Sequence, residues 1–174
     1  MGSLFAGQLN SGISAAWLII YLASNPEWYT KFQQEVDGVV EKHRKTPDQS
    51  PTDILGTLTV EEWESEFPWI DLGLRETIRF QMVGAAFRKN ISGKEIPIGK
   101  TGEVIPVDGF ASFLTDNVMF NPEIYPNPAK WDPARYLPDR AEDKSQPMAY
   151  MGWGFGRHVC LGMRVSETRH RVME

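Results

Sequence analysis

The residue best suited to chemistry is the single cysteine of the chain, Cys160, which follows a stretch rich in glycine. Glycines at positions 152, 154 and 156 allow a tight loop and let a flat ligand approach the backbone closely. The residues after Cys160 are amphipathic, so we expect the sulfur to lie where this loop becomes a helix. A helix N-terminus favours a thiolate over a thiol, because it carries partial positive charge and free N–H groups. The pattern therefore predicts an ionised sulfur in a loop that can hold a flat ligand.

Two other interpretations of Cys160 are weighed against this one. A lone cysteine is commonly a small buried apolar residue. It can also be the nucleophile of a cysteine hydrolase, with His158 or His170 as the base. His158 lies only two residues before Cys160, so the two side chains hardly face each other, and no oxyanion hole with an orienting third residue is evident. One cysteine excludes a disulfide within the chain, and His43, His158 and His170 lack the spacing of zinc ligands.

The composition limits the classes of function. The chain has 174 residues, of which 41% are hydrophobic and 24% charged, as in a folded globular domain. The net charge of −5 and the lack of a basic cluster argue against a nucleic-acid partner. The longest apolar run, residues 15–22, is too short to cross a bilayer, and the N-terminus lacks the basic segment of a secretory signal.

Hydrophobic periodicity predicts a mainly α fold with a small β-sheet. The first helix is apolar on most sides and rich in small residues, which is typical of a helix inside a larger protein. Asn25 and Pro26 separate it from an amphipathic second helix, residues 45–56 are predicted to be a loop, and Thr59 begins a short capped helix. The main segments are a helix at 3–24, a helix at 68–81, a small sheet at 84–113, an irregular coil at 117–150, and the cysteine loop with a last helix at 151–174.

The residues around the cysteine resemble the haem-binding signature of the cytochrome P-450 superfamily. That signature has an aromatic residue, a glycine, a basic residue, the cysteine and a second glycine at fixed offsets. Here the five positions hold Trp153, Gly156, His158, Cys160 and Gly162. The resemblance implies a haem cofactor with Cys160 as the axial ligand of its iron, and it places His158 beside a haem propionate.

Two more motifs of the family follow in the same order along the chain. Glu76 and Arg79 are three residues apart and lie on one helix face, where they can pair. Residues 131–136, with Pro128 before them, resemble the later segment of the family that contributes an arginine, here Arg135. The resemblance implies a triad of Glu76, Arg79 and Arg135 that locks the coil behind the haem. Its role is structural rather than chemical.

The first helix resembles the oxygen-binding groove of the family, at residues 6–11. The resemblance implies that Gly7 and Asn10 face the distal side, where dioxygen and substrate bind. Typical monooxygenases place an acid and a threonine where this chain has Leu9 and Asn10, and a leucine cannot relay a proton. Asparagine here also occurs in isomerases and dehydratases that act on peroxides, so both chemistries stay open. Arg88, in the first predicted strand, is implied as a second propionate partner.

The resemblance covers essentially the whole chain, so residues 1–174 are expected to be the C-terminal part of an incomplete P-450 fold. It implies a haem-thiolate monooxygenase that inserts one atom of O2 into a lipophilic substrate, with electrons from a reductase. The substrate pocket and any anchor of the family precede this region. We therefore expect the 174 residues to be inactive alone, and a full-length relative to be anchored at the endoplasmic reticulum. A haem-free interaction protein that keeps this half of the fold is the remaining alternative.

Overall fold

A computed structural model of the chain describes residues 2–81, 84–154 and 156–163. Six helices and four strands lie in these ranges: α1 Gly2–Ser24, α2 Pro26–His43, α3 Pro51–Leu55, α4 Val60–Glu66, α5 Pro68–Gln81, β1 Ala85–Lys89, β2 Ile96–Pro97, β3 Val104–Ile105, β4 Phe110–Leu114 and α6 Asp116–Met119. Three short 3-10 turns follow, at Pro133–Tyr136, Glu142–Lys144 and Gly156–His158. The mainly α architecture with a small β region is the one that the sequence predicts.

Local capping sets several helix boundaries. α4 begins with a capping box, in which the Thr59 hydroxyl accepts the Glu62 N–H at 3.2 Å and the Glu62 carboxylate accepts the Thr59 N–H at 2.7 Å. The predicted loop at 45–56 is wrong in part, because α3 forms there. The Ser50 hydroxyl accepts the Asp53 N–H at 3.2 Å, and Pro51 supplies a backbone angle suited to the first turn.

The N-terminus of α5 is capped from another helix. The Glu35 carboxylate on α2 accepts the backbone N–H groups of Trp69 and Ile70, at 2.8 and 3.1 Å. Burial raises the pKa of Glu35, although these two hydrogen bonds act in the opposite direction. One carboxylate thus satisfies two free donors of the first turn and fastens α5 to α2.

The main core lies where α1, α2, α4 and α5 meet. Its buried residues are Leu18, Phe32, Val39, Trp63, Phe67, Ile70, Leu74 and Trp131. α5 comes closest to its neighbours at Gly73, which has no side chain between its backbone and the Phe32 ring. Since Trp131 belongs to the later coil, this core also joins the helices to the segment that contains the predicted triad arginine.

Gly73→Ala is expected to lower the free energy of unfolding by about 1–3 kcal/mol, the usual cost of overpacking a core. An added Cβ would lie 2.4 and 2.7 Å from two Phe32 ring atoms and 3.1 Å from Leu18 Cδ1. Gly38→Ala on α2 is the matched control, because a Cβ there meets nothing within 4 Å and alanine favours the helix. Urea unfolding followed by tryptophan fluorescence measures both variants, and equal effects would contradict the close approach.

The β region consists of two separate sheets, whereas the sequence predicts one at 84–113. β1 pairs with β4 and β2 pairs with β3, each pair antiparallel and two-stranded. In the sequence, the β2–β3 hairpin lies between β1 and β4, the two strands of the other pair. The Asn90 side-chain amide donates to the carbonyls of Lys94, Ile105 and Pro106, at 2.8, 3.1 and 3.0 Å. These contacts join the two ends of the hairpin to Asn90.

α1 is covered on one side only. Ser11 and Leu18 are buried, whereas Leu9, Ile13 and Ile19 are 46%, 46% and 63% exposed. α2 and α5 cover part of a helix whose apolar residues lie on most sides, and the remainder faces outward. Among the described residues, no helix combines the length and hydropathy required to cross a membrane.

Candidate functional site

Glu76 lies at the centre of a buried network that joins α5 to the coil after α6. Its carboxylate accepts two hydrogen bonds from Arg79 at 2.8 Å and one from Arg135 Nε at 3.1 Å. The Tyr136 hydroxyl and the Asp132 N–H also donate to it, at 2.8 and 3.1 Å. Glu76 and Arg79 are fully buried, and Arg135 is 1% exposed. The structure thus brings the three predicted triad residues together, with hydrogen bonds that offset the cost of burying their charges.

Arg135 organises the irregular coil around itself. Its guanidinium donates to Glu76, to the Glu142 carboxylate at 2.8 Å, and to three backbone carbonyls at 2.6–2.8 Å: those of Pro126, Asn127 and Lys130. Carbonyl groups in irregular coil lack the regular backbone hydrogen bonds of a helix or sheet. The Arg135 side chain donates hydrogen bonds to them instead. One arginine therefore fixes residues 126–130 against α5.

Arg79 ties the other end of the coil to the same helix. It donates to the carbonyls of Met119 and Pro128, and its guanidinium carbon lies 4.6, 5.3 and 4.9 Å from the ring centres of Phe80, Phe120 and Tyr125. Burial alone would lower the pKa of Arg79, but the hydrogen bonds and charge of Glu76 outweigh it and raise that pKa. The charged form is therefore stabilised inside a largely aromatic pocket.

Sequence reasoning missed the outer part of this network. Arg140 donates to Glu142 and, at 2.8 Å, to Asp132, whose other carboxylate oxygen accepts the Ala134 N–H at 3.2 Å. Burial would raise the pKa of Asp132, but the hydrogen bond and charge of Arg140 lower it. Arg140 and Glu142 have the residue types of a solvated turn, so no local signal could have identified them. Only the position of Arg135 shows why they are paired.

The cysteine loop closes on itself through two backbone hydrogen bonds. The Cys160 N–H donates to the Trp153 carbonyl at 2.8 Å, and the Gly154 N–H donates to the Met151 carbonyl at 2.8 Å. Gly154 and Gly156 have φ angles of 73° and 72°, in the left-handed region that favours glycine. Residues 161 and 162 form a turn, and the rest of the helix predicted after Cys160 falls on residues 164–174, outside the described residues.

The loop fits a haem group whose iron binds a thiolate. The Cys160 thiol is exposed, which is contrary to the interpretation of this residue as a small buried side chain. It is the only thiol of the chain, and thiolates are suitable ligands for iron. An added Cβ on Gly156 would meet no described atom within 4 Å, so the backbone there is open to a flat ligand. A Cβ on Gly162 would lie 3.7 Å from the Cys160 sulfur, an ordinary contact.

The other predicted site residues lie on separate elements. Gly7 and Asn10 are exposed on α1, and an added Cβ on Gly7 would meet nothing within 4 Å. Arg88 is exposed on β1 and donates to the Phe87 carbonyl at 2.8 Å. His158 ends the turn at Gly156–His158, and its side chain lies outside what is described. The roles of these four residues toward haem stay predictions.

A second group of potential ligands lies at the end of α2. Among the described residues, His43, Glu62 and Glu66 bring ligand atoms within 4.8 Å of one another. His43 contacts Glu66 at 3.0 Å, and Lys42 contacts the same carboxylate at 2.7 Å. The hydrogen bond from Lys42, followed by that from His43, lowers the pKa of Glu66. We interpret this group as an ion-pair cluster that fastens α2 to α4.

The fold and the sequence together assign the chain to a family of haem proteins. The sequence profile of the family described as Cytochrome P450 matches residues 1–173. The chain belongs to the cytochrome P-450 family, whose members hold haem.

Similar proteins agree with this assignment. Cytochrome P450 monooxygenase AacuE of Aspergillus aculeatus is 38% identical over 173 residues, which are 99% of this chain and 34% of that protein. Cytochrome P450 monooxygenase nsrP of Aspergillus novofumigatus is 33% identical, over 98% of this chain and 33% of that protein. The solved structure "Retinoic acid bound cyanobacterial CYP120A1" has a TM-score of 0.68, and the match covers 94% of this chain and 33% of that one. Because the identity is 23%, this likeness shows the fold alone. The chain therefore spans about a third of the length of these relatives.

Proposed function

We propose that the protein to which this chain belongs is a haem-thiolate monooxygenase that inserts one atom of O2 into a lipophilic organic substrate. The observation that carries the proposal is the exposed thiol of Cys160, presented by a glycine loop that closes on the Trp153 carbonyl. Two relatives that match nearly all of this chain are named monooxygenases, which supports the same activity.

Each of the predicted site residues has a separate role in this function. Cys160 would hold the iron, while Arg88 and His158 would donate hydrogen bonds to the propionates. When bound, the haem supplies the oxidation chemistry, and a thiolate ligand donates the electron density that favours O–O bond cleavage. Gly7 leaves space on the distal side, where the Asn10 amide donates a hydrogen bond to dioxygen or substrate.

The balance of the reaction defines the partner. Insertion of one oxygen atom into a C–H bond leaves the second atom as water, which takes two electrons and two protons. A reductase is therefore proposed as the electron donor.

A second function is favoured by one feature of α1. Leu9 and Asn10 stand where typical monooxygenases have an acid and a threonine, and both residues are exposed on the helix. Neither side chain is an efficient proton donor. Isomerisation or dehydration of an organic peroxide needs neither external electrons nor O2, so this pair suits a haem-thiolate isomerase or dehydratase.

Turnover of the full-length protein distinguishes the two functions. Two matched assays are used. One contains isotope-labelled O2 and a reductase, and the other contains a fatty-acid hydroperoxide without a reductase. The substrates are panels of fatty acids, sterols and terpenes. We expect one labelled oxygen atom in the product and strict dependence on the reductase. Rearrangement of the hydroperoxide without electrons, together with no labelled product, would replace the monooxygenase by the second function.

A further inference from the structure

We propose that Arg75 is a positioning residue for the loop that carries Cys160, acting through Asp143 and Tyr150. The proposal rests on the proposed function in one respect only, namely that the orientation of Cys160 matters for binding iron. Arg75 directly precedes the network residue Glu76 on α5, and its side chain pairs with Asp143, which is not a member of that network.

Arg75 contacts the coil at three places. Its Nη2 donates to the Asp143 carboxylate at 2.7 Å. Its guanidinium carbon lies 5.0 Å from the ring centre of Tyr136 and 4.6 Å from that of Tyr150. Its backbone carbonyl accepts the Tyr150 hydroxyl at 3.1 Å. Both the side chain and the main chain of one residue therefore hold Tyr150, immediately before the cysteine loop.

Contacts continue from Tyr150 to the cysteine. An added Cβ on Gly152 would lie 2.4 Å from the Tyr150 hydroxyl oxygen and 2.7 Å from Ile78 Cγ2, so the start of the loop is seated on α5 without spare room. Trp153 follows, and its carbonyl accepts the Cys160 N–H at 2.8 Å. A displacement of Tyr150 is thus transmitted through two residues to the backbone of Cys160.

The pair of Arg75 and Asp143 contributes little to the free energy of unfolding. Among the described residues, one hydrogen bond joins the two side chains, and the buried atoms Arg75 Nε and Asp143 Oδ1 have no partner. The Arg75 side chain is 39% exposed, and a partly exposed ion pair with unsatisfied atoms adds little net stability. The pair instead fixes the orientation of these side chains, because the planar guanidinium meets a carboxylate and two rings in one orientation only.

A cavity beside Arg75 makes these contacts more important. Its volume is about 200 Å³, and Arg75, Tyr150 and Trp153 form part of its wall. In the part of the chain that the structure describes, the loop packs closely on α5 at Gly152, whereas Trp153 faces the cavity. The contacts to Tyr150 therefore hold the loop next to the cavity.

Amide hydrogen exchange of the 174-residue chain, measured by NMR, tests the proposal. The Gly154 and Cys160 amides are the reporters, because both donate hydrogen bonds within the loop. Arg75→Met and Asp143→Asn are each expected to accelerate their exchange at least about tenfold, with partial recovery in Arg75→Lys. The exchange of α5 amides is expected to change much less than that of the two loop amides.

Lys31→Met is the matched control for this substitution. Lys31 also packs a cation on two rings, at 5.3 Å from Trp28 and 4.0 Å from Trp69, but it lies on α2, away from the loop. Lys31→Met is expected to leave the hydrogen exchange of both loop amides unchanged. Tyr150→Phe, which removes only the hydroxyl donated to Arg75, is expected to accelerate them and serves if Arg75→Met does not fold.

Two results would overturn the proposal. Unchanged Gly154 and Cys160 exchange in Arg75→Met would show that Arg75 does not hold the loop. Equal acceleration throughout α5 would show a general structural role. In the haem-loaded full-length protein, Arg75→Met is expected to reduce the thiolate-type fraction of the carbon monoxide spectrum and Arg75→Lys to restore it. A wild-type protein without that band would contradict the proposed function, whereas the exchange result concerns Arg75 alone.

Discussion

Cys160→Ser in the full-length protein is expected to abolish the thiolate-type absorbance band of the reduced carbon monoxide complex. A serine hydroxyl stays protonated at neutral pH and donates far less electron density to iron than a thiolate does. The chain has no second cysteine to replace the ligand. Difference spectra of reduced protein with and without carbon monoxide measure the effect.

Val159→Ala is the control for Cys160→Ser. Val159 is the neighbouring residue and is 37% exposed, so the change alters the loop surface while keeping the thiol. The band is expected to remain in this control. If it also remains in Cys160→Ser, the ligand assignment is wrong, and if it is absent from wild type, the haem-free alternative gains support.

Glu76→Gln is expected to lower the free energy of unfolding by about 3–5 kcal/mol, the usual cost of removing one partner from a buried ion pair. The change leaves Arg79 and Arg135 buried without their shared counter-charge. It also places an amide NH2 group among donors. The Tyr136 hydroxyl is one of these donors, and burial raises its pKa well above the usual range, so it keeps its proton. Since domains are stable by about 5–15 kcal/mol, the loss takes a large part of the total.

Urea unfolding followed by tryptophan fluorescence measures this loss. Glu123→Gln is the matched control, because the Glu123 side chain is exposed and its neutralisation is expected to change stability by less than about 0.5 kcal/mol. Arg135→Lys is a milder test of the same network, since lysine keeps the charge but not the fork that contacts three carbonyls. A loss in Glu76→Gln no larger than that of the control would contradict a structural role for the network.

Short-range features of the fold could be predicted well. The helix at Pro68–Gln81, the break at Asn25 and the capping box of Thr59 agree with the structure, because each depends on residues a few positions apart. The error at 45–56 arose from composition. Ser50 and Pro51 form a helix start, but the surrounding polar residues favoured a loop.

The β region was predicted less completely, because strand pairing joins residues that are distant in the sequence. Ala85 pairs with Leu114, while Ile96 pairs with Ile105 inside the same stretch. Alternating β-branched residues indicate strands but not which strands are neighbours. The contacts of the Asn90 side chain with three carbonyls at the ends of the inner hairpin also have no sequence signal.

The sequence by itself determined the chemical groups and their local geometry: a single thiol after a glycine loop, and a glutamate three residues before an arginine on one helix face. Tertiary structure alone decided which distant groups meet them. Arg75 and Asp143 are 68 residues apart, and Tyr136 reaches Glu76 across 60. Local patterns extend over one or two helical turns, whereas the folding of irregular coil against α5 selects such partners by packing, burial and the need to satisfy buried polar groups.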